Sequence, residues 1–214
     1  MFIKKKEIIS LIQGTKTFKN PKIALEQYTI DAESAINIVY HAGVEYDDIQ
    51  NTVVFDLGAG TGRLSIASAF LGAAKVISID IDLEALEILL ENVINLNLDH
   101  VINIVCCDVS TLEIRKNKLM HPKNITTIMN PPFGVKHRFA DRIFLKKAFS
   151  FSDVVYSIHL LNEKVDRFIK HFASRFNWKV DYSFPFNMKL ERTYSFHEKK
   201  VKNIDVRIYR FMKN

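Results

Sequence analysis

The stretch VVFDLGAGTG, residues 53–62, decides the fold. It begins with a short apolar run set between polar Asn51 and Gly58. Runs of this length, rich in Val and Ile, suit strands buried on both faces. Glycines follow at 58, 60 and 62. They permit a tight turn and let backbone N–H groups come close to a ligand. Beyond them, Ser65 to Gly72 is rich in Ala and Leu and stops at a glycine, which reads as a helix. Strand, glycine turn and helix in that order open a βαβ unit.

The same alternation continues outward. Residues 75–80 (KVISID), 102–106 (INIVC), 125–129 (ITTIM) and 153–158 (DVVYSI) read as further strands. Residues 83–95, 139–149 and 162–174 carry apolar residues at helical spacing. Strands alternating with helices predict a mostly parallel sheet with helices on both faces. The C-terminal part changes period. TYSFHEKK (193–200) and NIDVRIYRF (203–211) alternate polar and apolar residues around a basic tip. They predict an antiparallel hairpin closing the sheet edge. Ahead of the first strand, residues 31–42 read as a helix with Asp31 as N-cap and Glu33 in its first turn.

The bulk numbers bound the function. The chain has 214 residues, 48% hydrophobic and 25% charged, which suits a globular protein with one sizeable core. Its apolar runs fall short of the roughly 18 residues a membrane span needs. The N-terminal segment MFIKKKEIISLIQG lacks the features of a signal peptide and reads as mature protein. The formal charge of +6 is compatible with a polyanionic partner. Cys106 and Cys107 are neighbours, too few for a structural zinc cage. They read as buried free thiols in a reducing cytoplasm. No spacing of His, Cys, Asp and Glu suggests a metal site.

The glycine turn is selective about its ligand. Arg63 stands where a dinucleotide fingerprint has its third glycine, and no G-K-[ST] follows. Asp80 ends the second strand, 22 residues after Gly58 (80 − 58 = 22), where a carboxylate can accept from both ribose hydroxyls. Asp108 ends the third, on the side where an adenine would lie. Glycine turn, ribose acid and adenine-side acid suit a nucleoside without phosphates, such as S-adenosyl-L-methionine. Its cationic sulfonium tolerates an acid such as Asp56 beside the turn.

The fourth strand ends in Asn130-Pro131-Pro132-Phe133. Pro131 biases Asn130 to an extended backbone, and neither proline has an N–H to satisfy. The loop therefore offers two fixed acceptors, the Asn130 side-chain oxygen and the Pro131 carbonyl, with Phe133 as a flat apolar face. Two acceptors can hold both hydrogens of an exocyclic amine and free its lone pair. An aromatic plane can stack on a base. The bland reading is a Pro-Pro turn with Phe133 in the core.

DLGAGTG with SIDID, followed by NPPFG, resembles the Rossmann-like class I methyltransferases that modify exocyclic amines. More narrowly, the chain resembles the small methyltransferase-like family that methylates adenine N6 in small-subunit ribosomal RNA of eukaryotes, together with its archaeal relatives. The likeness spans nearly the whole chain: LEQY at 25–28, YDDI at 46–49, VVFDLGAGTGRLSI at 53–66, IDIDLEALEI at 79–88, CCDV at 106–109, MNPPFG at 129–134, FLKKAF at 144–149, VYSIH at 155–159, SFHEKK at 195–200 and IDVRIYRF at 204–211. NPPF marks amino-group methylation without choosing the base. EQY and FHEKK point to this family.

The resemblance implies an N-terminal helical segment, 1–50, covering the cofactor, and a methyltransferase domain, 51–214. It implies that Gln27 helps cover the cofactor, that Gly58, Gly60 and Thr61 line its methionine part, that Asp80 holds the ribose, and that Asp108 and Val109 hold the adenine. Asn130, Pro131 and Phe133 would engage the target base. The family reads EQYPT where this chain reads EQYTI, and Thr29 is given no role. Eukaryotic members work with a small zinc-binding activator at a sheet edge, which implies a similar partner here.

Lys136, His137, Arg138, Arg142, Lys146 and Lys147 follow the Asn130 loop, and Lys189, Arg192, Lys199, Lys200 and Lys202 sit around the C-terminal hairpin. If they flank the crevice mouth they can neutralise RNA phosphates. Lys146 and Lys147 read equally well as a solvated helix face, and His159, His171 and His197 as structural or surface residues. Two alternatives stand beside an RNA adenine enzyme. One is a methyltransferase acting on a DNA base or a protein glutamine. The other is a catalytically silent RNA- or partner-binding module of the same fold.

Overall fold

The protein is described here by a computed structural model covering residues 4–114, 124–134, 139–191 and 201–214, without the side chains of 201 and 202. Among the described residues, seven strands form one sheet in the order β3-β2-β1-β4-β5-β7-β6. They are β1 Val53–Leu57, β2 Lys75–Asp80, β3 Ile102–Cys106, β4 Ile125–Met129, β5 Val154–Leu160, β6 Trp178–Glu191 and β7 Val201–Lys213. The first five are parallel; β7 runs antiparallel between β5 and β6.

The helices are α1 Lys5–Gln13, α2 Ala32–Tyr40, α3 Arg63–Phe70, α4 Leu83–Asn95, α5 Ala140–Phe151 and α6 Glu163–Ser174. One face of the sheet packs α1 to α4 through Ile12, Ile36, Ile66 and Leu89. The other packs α5 and α6 through Leu145, Phe149 and Ile169 against Phe55, Tyr209 and Phe211. Each fully buried aliphatic side chain contributes roughly 1.5–3 kcal/mol.

The strand readings hold to within two residues, and α4 spans the 83–95 expected of it. Asp31 caps α2, accepting from the Ser34 N–H at 3.1 Å. Polar residues in the buried strands are explained by their partners. Thr126 donates to the Asp48 carbonyl at 2.6 Å, and the Thr127 hydroxyl lies 2.6 Å from that of Ser152.

The hairpin needs a correction. Its second arm lies within β7, but the strand paired to β7 is Trp178–Glu191, further upstream than expected. TYSFHEKK, 193–200, lies outside the described residues. The earlier arm was missed because Tyr182, Phe184 and Phe186 alternate across a strand that also contains Pro185, a residue tolerated at a sheet edge.

The sheet order reverses between β1 and β4, which are neighbours although distant in sequence. In open α/β sheets ligands collect beyond the carboxyl ends of the strands at this reversal. Leu57 pairs with Met129 there, so the glycine turn and the Asn130 loop leave the sheet side by side.

Candidate active site

The glycine turn is forced by its neighbours. Gly58, Gly60 and Gly62 all have positive φ, at 75°, 54° and 92°. A Cβ on Gly60 would meet the Phe18 ring at 2.9 Å, and one on Gly62 would meet buried Leu89 at 2.0 Å. The Gly58 and Ala59 N–H groups donate to the Ile79 carbonyl at 2.8 and 3.0 Å, tying the turn to β2. Asp80, at the end of β2, accepts the Gly60 N–H at 2.8 Å and the Asp82 N–H at 2.9 Å. Burial raises the Asp80 carboxyl above its usual range, against those two donors. Lone pairs remain on both its oxygens for hydroxyl donors.

A cavity of about 280 Å³ opens above these strand ends. Gln27, Gly58, Gly60, Thr61, Asp80, Asp108, Val109 and Asn130 all line it. So do Phe18, Cys107, Pro132 and Phe144, which the sequence reading did not select; the two thiols are free but not buried, Cys106 being exposed and Cys107 half-buried at the cavity wall. Asp108 is exposed and accepts the Ser110 N–H at 2.7 Å, while Val109 is buried. Pro131 is buried beneath the loop, and it is Pro132 that faces the cavity. Phe133 is half-buried, its ring stacked on that of Tyr28 at 5.6 Å and 30°. The Asn130 Oδ1 is buried with no hydrogen-bond partner among the described residues. Asp56 is turned away from the cavity: it is 1% exposed and accepts the Ser65 hydroxyl at 2.6 Å. Burial drives its pKa up to about 7.

A strap, residues 14–31, crosses the cavity mouth. Gln27 donates to Asp82 at 2.6 Å and accepts the Lys22 N–H at 2.7 Å. Lys22 also pairs with Asp82 at 2.6 Å. Burial opposes ionisation of Asp82, but the hydrogen bonds from Lys22 and Gln27 and the lysine charge outweigh it and hold the carboxyl below its usual value. Asn92, buried mid-helix in α4, exchanges hydrogen bonds with the Lys16 backbone at 2.8 and 2.9 Å and donates to the Thr61 carbonyl at 3.1 Å. Arg63 donates to the Ile30 carbonyl and to Glu191, both at 2.7 Å. Neither Asn92 nor Arg63 could be picked from spacing, since their partners lie 76 and 128 residues away.

Of the basic residues, Lys136, Arg138, Lys199 and Lys200 lie outside the described residues. Lys202 sits in β7 opposite Leu190. Lys147 donates to the Leu112 carbonyl at 2.5 Å. Among the described residues no group of three or more His, Cys, Asp or Glu could hold a metal ion. No helix among them is long and apolar enough to cross a membrane.

A reversed parallel sheet, a glycine turn fastened to the acid of the next strand, and an Asn-Pro-Pro loop over a shared cavity define a Rossmann-like class I methyltransferase. The profile of the family described as ribosomal protein L11 methyltransferase (PrmA) matches residues 41–122, which stop short of the Asn130 loop. Full-length likeness lies elsewhere. The rRNA N(6)-adenosine-methyltransferase METTL5 of Danio rerio is 38% identical over 98% of this chain and 99% of its own. The Drosophila melanogaster Mettl5 is 31% identical over 98% and 96%. A Pyrococcus horikoshii structure, described provisionally as an RNA methyltransferase, superposes with a TM-score of 0.86 at 40% identity, covering 100% of this chain and 99% of that one. The chain belongs to the METTL5 family of rRNA N6-adenosine methyltransferases.

Proposed function

We propose that this protein transfers the methyl group of S-adenosyl-L-methionine to the exocyclic N6 amine of an adenine in structured ribosomal RNA, that of the small subunit. The observation that carries this reading is the Asn130 side-chain oxygen, a buried acceptor with no partner among the described residues, on a residue lining the cavity shared with the glycine turn. An unsatisfied buried acceptor costs roughly 1–3 kcal/mol. An amine entering the cavity supplies the missing donor.

The residues present fit the cofactor. Side chains are excluded at Gly58 and Gly60, where a Cβ would meet Phe144 at 3.1 Å and Phe18 at 2.9 Å, and this leaves open backbone for the methionine part together with Thr61. Asp80 would take the ribose hydroxyls, Asp108 and Val109 the adenine, and Gln27 would close the strap over it. When bound, the cofactor supplies an electrophilic methyl carbon on a sulfonium. Asn130 Oδ1 accepts one amine hydrogen, and the Pro131 carbonyl would accept the other once the base draws the loop toward the cavity, which helps the nitrogen become tetrahedral and aims its lone pair. Catalysis then comes from positioning and fixed dipoles. Phe133, braced by Tyr28, takes the base on its remaining face. Lys136, Arg138, Lys199, Lys200 and Lys202 meet the RNA phosphates. A cytoplasmic site of action accords with a ribosomal substrate.

A zinc-binding activator subunit is part of this proposal. β3 is an open edge with Val105 38% exposed, and Leu83, Leu90 and Ile94 form an exposed apolar stripe on adjacent α4. An open edge beside apolar surface favours a partner that adds a strand there.

The test is incubation with ribosomal RNA and methyl-labelled cofactor, followed by nucleoside analysis. N6-methyladenosine is expected, and Asn130→Ala should abolish it while cofactor affinity stays within about threefold. Label in cytosine or in protein glutamine would replace this reading with another amine acceptor.

A further inference from the structure

The chain that leaves the Asn130 loop is described again at Phe139. Its backbone there is left-handed, with φ at 73°, and its ring is 48% exposed. A bulky residue in that conformation is uncommon and points to a constraint worth explaining. The Arg142 guanidinium lies over this ring, 3.7 Å from its centroid, and over the Phe168 ring at 4.2 Å. Phe168 is backed by Phe172 at 5.5 Å. The three flat groups form a ladder from α5 to α6, cationic in its middle rung. The next residue, Ala140, lines the cavity that Asn130 lines. The outer rung therefore stands at the rim of the active site.

We propose that Phe139 and Arg142 form a nucleobase-stacking subsite that takes an unpaired base adjacent to the target adenine. This rests on the RNA reading above. A base must leave its stack to reach the cavity, and this strips its neighbour of one stacking partner. A ring already ordered at the rim replaces that partner. Aromatic and guanidinium planes are the usual platforms for splayed RNA bases, tolerant of sequence because every base has a π-face. The Arg142 charge also suits the phosphate that follows such a base.

The experiment uses the full-length protein, ribosomal RNA as acceptor, and the variants Phe139→Asn and Phe139→Trp. Asparagine accepts left-handed backbone, so the ring is removed with the loop geometry kept. Phe139→Asn should raise the RNA KM about tenfold, with kcat, cofactor affinity and melting temperature close to wild type. Phe139→Trp should restore KM to within twofold, and its indole fluorescence should be quenched by RNA. A Phe139→Asn enzyme with wild-type RNA KM overturns the subsite, as does a raised KM that Phe139→Trp leaves unrestored and unquenched. If the wild type methylates RNA and these results fail, the stacking subsite alone falls. If the wild type methylates no RNA, both readings fall together.

Discussion

Replacing Asp56 by Asn should change how stability depends on pH. The Asp56 carboxyl is buried, and desolvation lifts its pKa from 3.8 to about 7. The native state therefore keeps a proton that the unfolded chain gives up near pH 4. Stability from this group is fully present below pH 4 and is lost as pH rises through 7. Three pKa units amount to about 4 kcal/mol, a large part of a typical 5–15 kcal/mol. His159 works in the opposite sense. Burial holds it neutral with a pKa of about 3, so its contribution is lost as pH falls below 6.5. The two slopes oppose each other between about pH 4 and 6.5. Asparagine does not titrate, so Asp56→Asn should leave the His159 slope exposed. Urea unfolding at pH 4 to 8 and constant ionic strength would measure this. The variant should gain on wild type by about 1.4 kcal/mol per pH unit up to pH 7 and then level off. Parallel curves for the two proteins would mean that Asp56 ionises normally and is not desolvated as described.

Gly62→Ala should lower unfolding stability by about 2–5 kcal/mol, from left-handed strain and collision with Leu89; a urea midpoint within error of wild type would contradict the packing at that turn. Asp80→Ala should weaken S-adenosyl-L-methionine binding by roughly ten- to hundredfold in calorimetry, since a charged acceptor is lost, and equal affinity would remove Asp80 from the ribose site. Neutralising Lys199, Lys200 and Lys202 together should reduce the slope of log K for RNA against log salt by about 2–3. An unchanged slope would put that tip away from the phosphates.

The parts of the fold legible in the sequence were those written in local period. The five parallel strands announced themselves as short Val/Ile runs closed by Gly, Asp or Asn, and α4 as leucines on one face with glutamates on the other. The glycine turn and Asn-Pro-Pro loop were legible because their backbone demands restrict residue choice. The strap was not. Phe18 has no periodic neighbours, Gln27 was reached only through the family resemblance, and Lys22 acquires meaning only through Asp82, 60 residues on. Arg63 looked like a missing glycine; it is a buried tie between three distant segments. Such contacts are set by tertiary geometry, and no window of sequence contains both ends.

That tie has a consequence in time. Thr29 to Asp31 hydrogen-bonds with Lys189 and Glu191, and Arg63 reaches both sides of the same seam. A nascent chain can fasten the strap to Asp82 and Asn92 long before the partners of this seam exist. The end of the strap at Thr29 to Asp31 is pinned only after residue 191 has emerged, so its two ends are secured at different stages of synthesis.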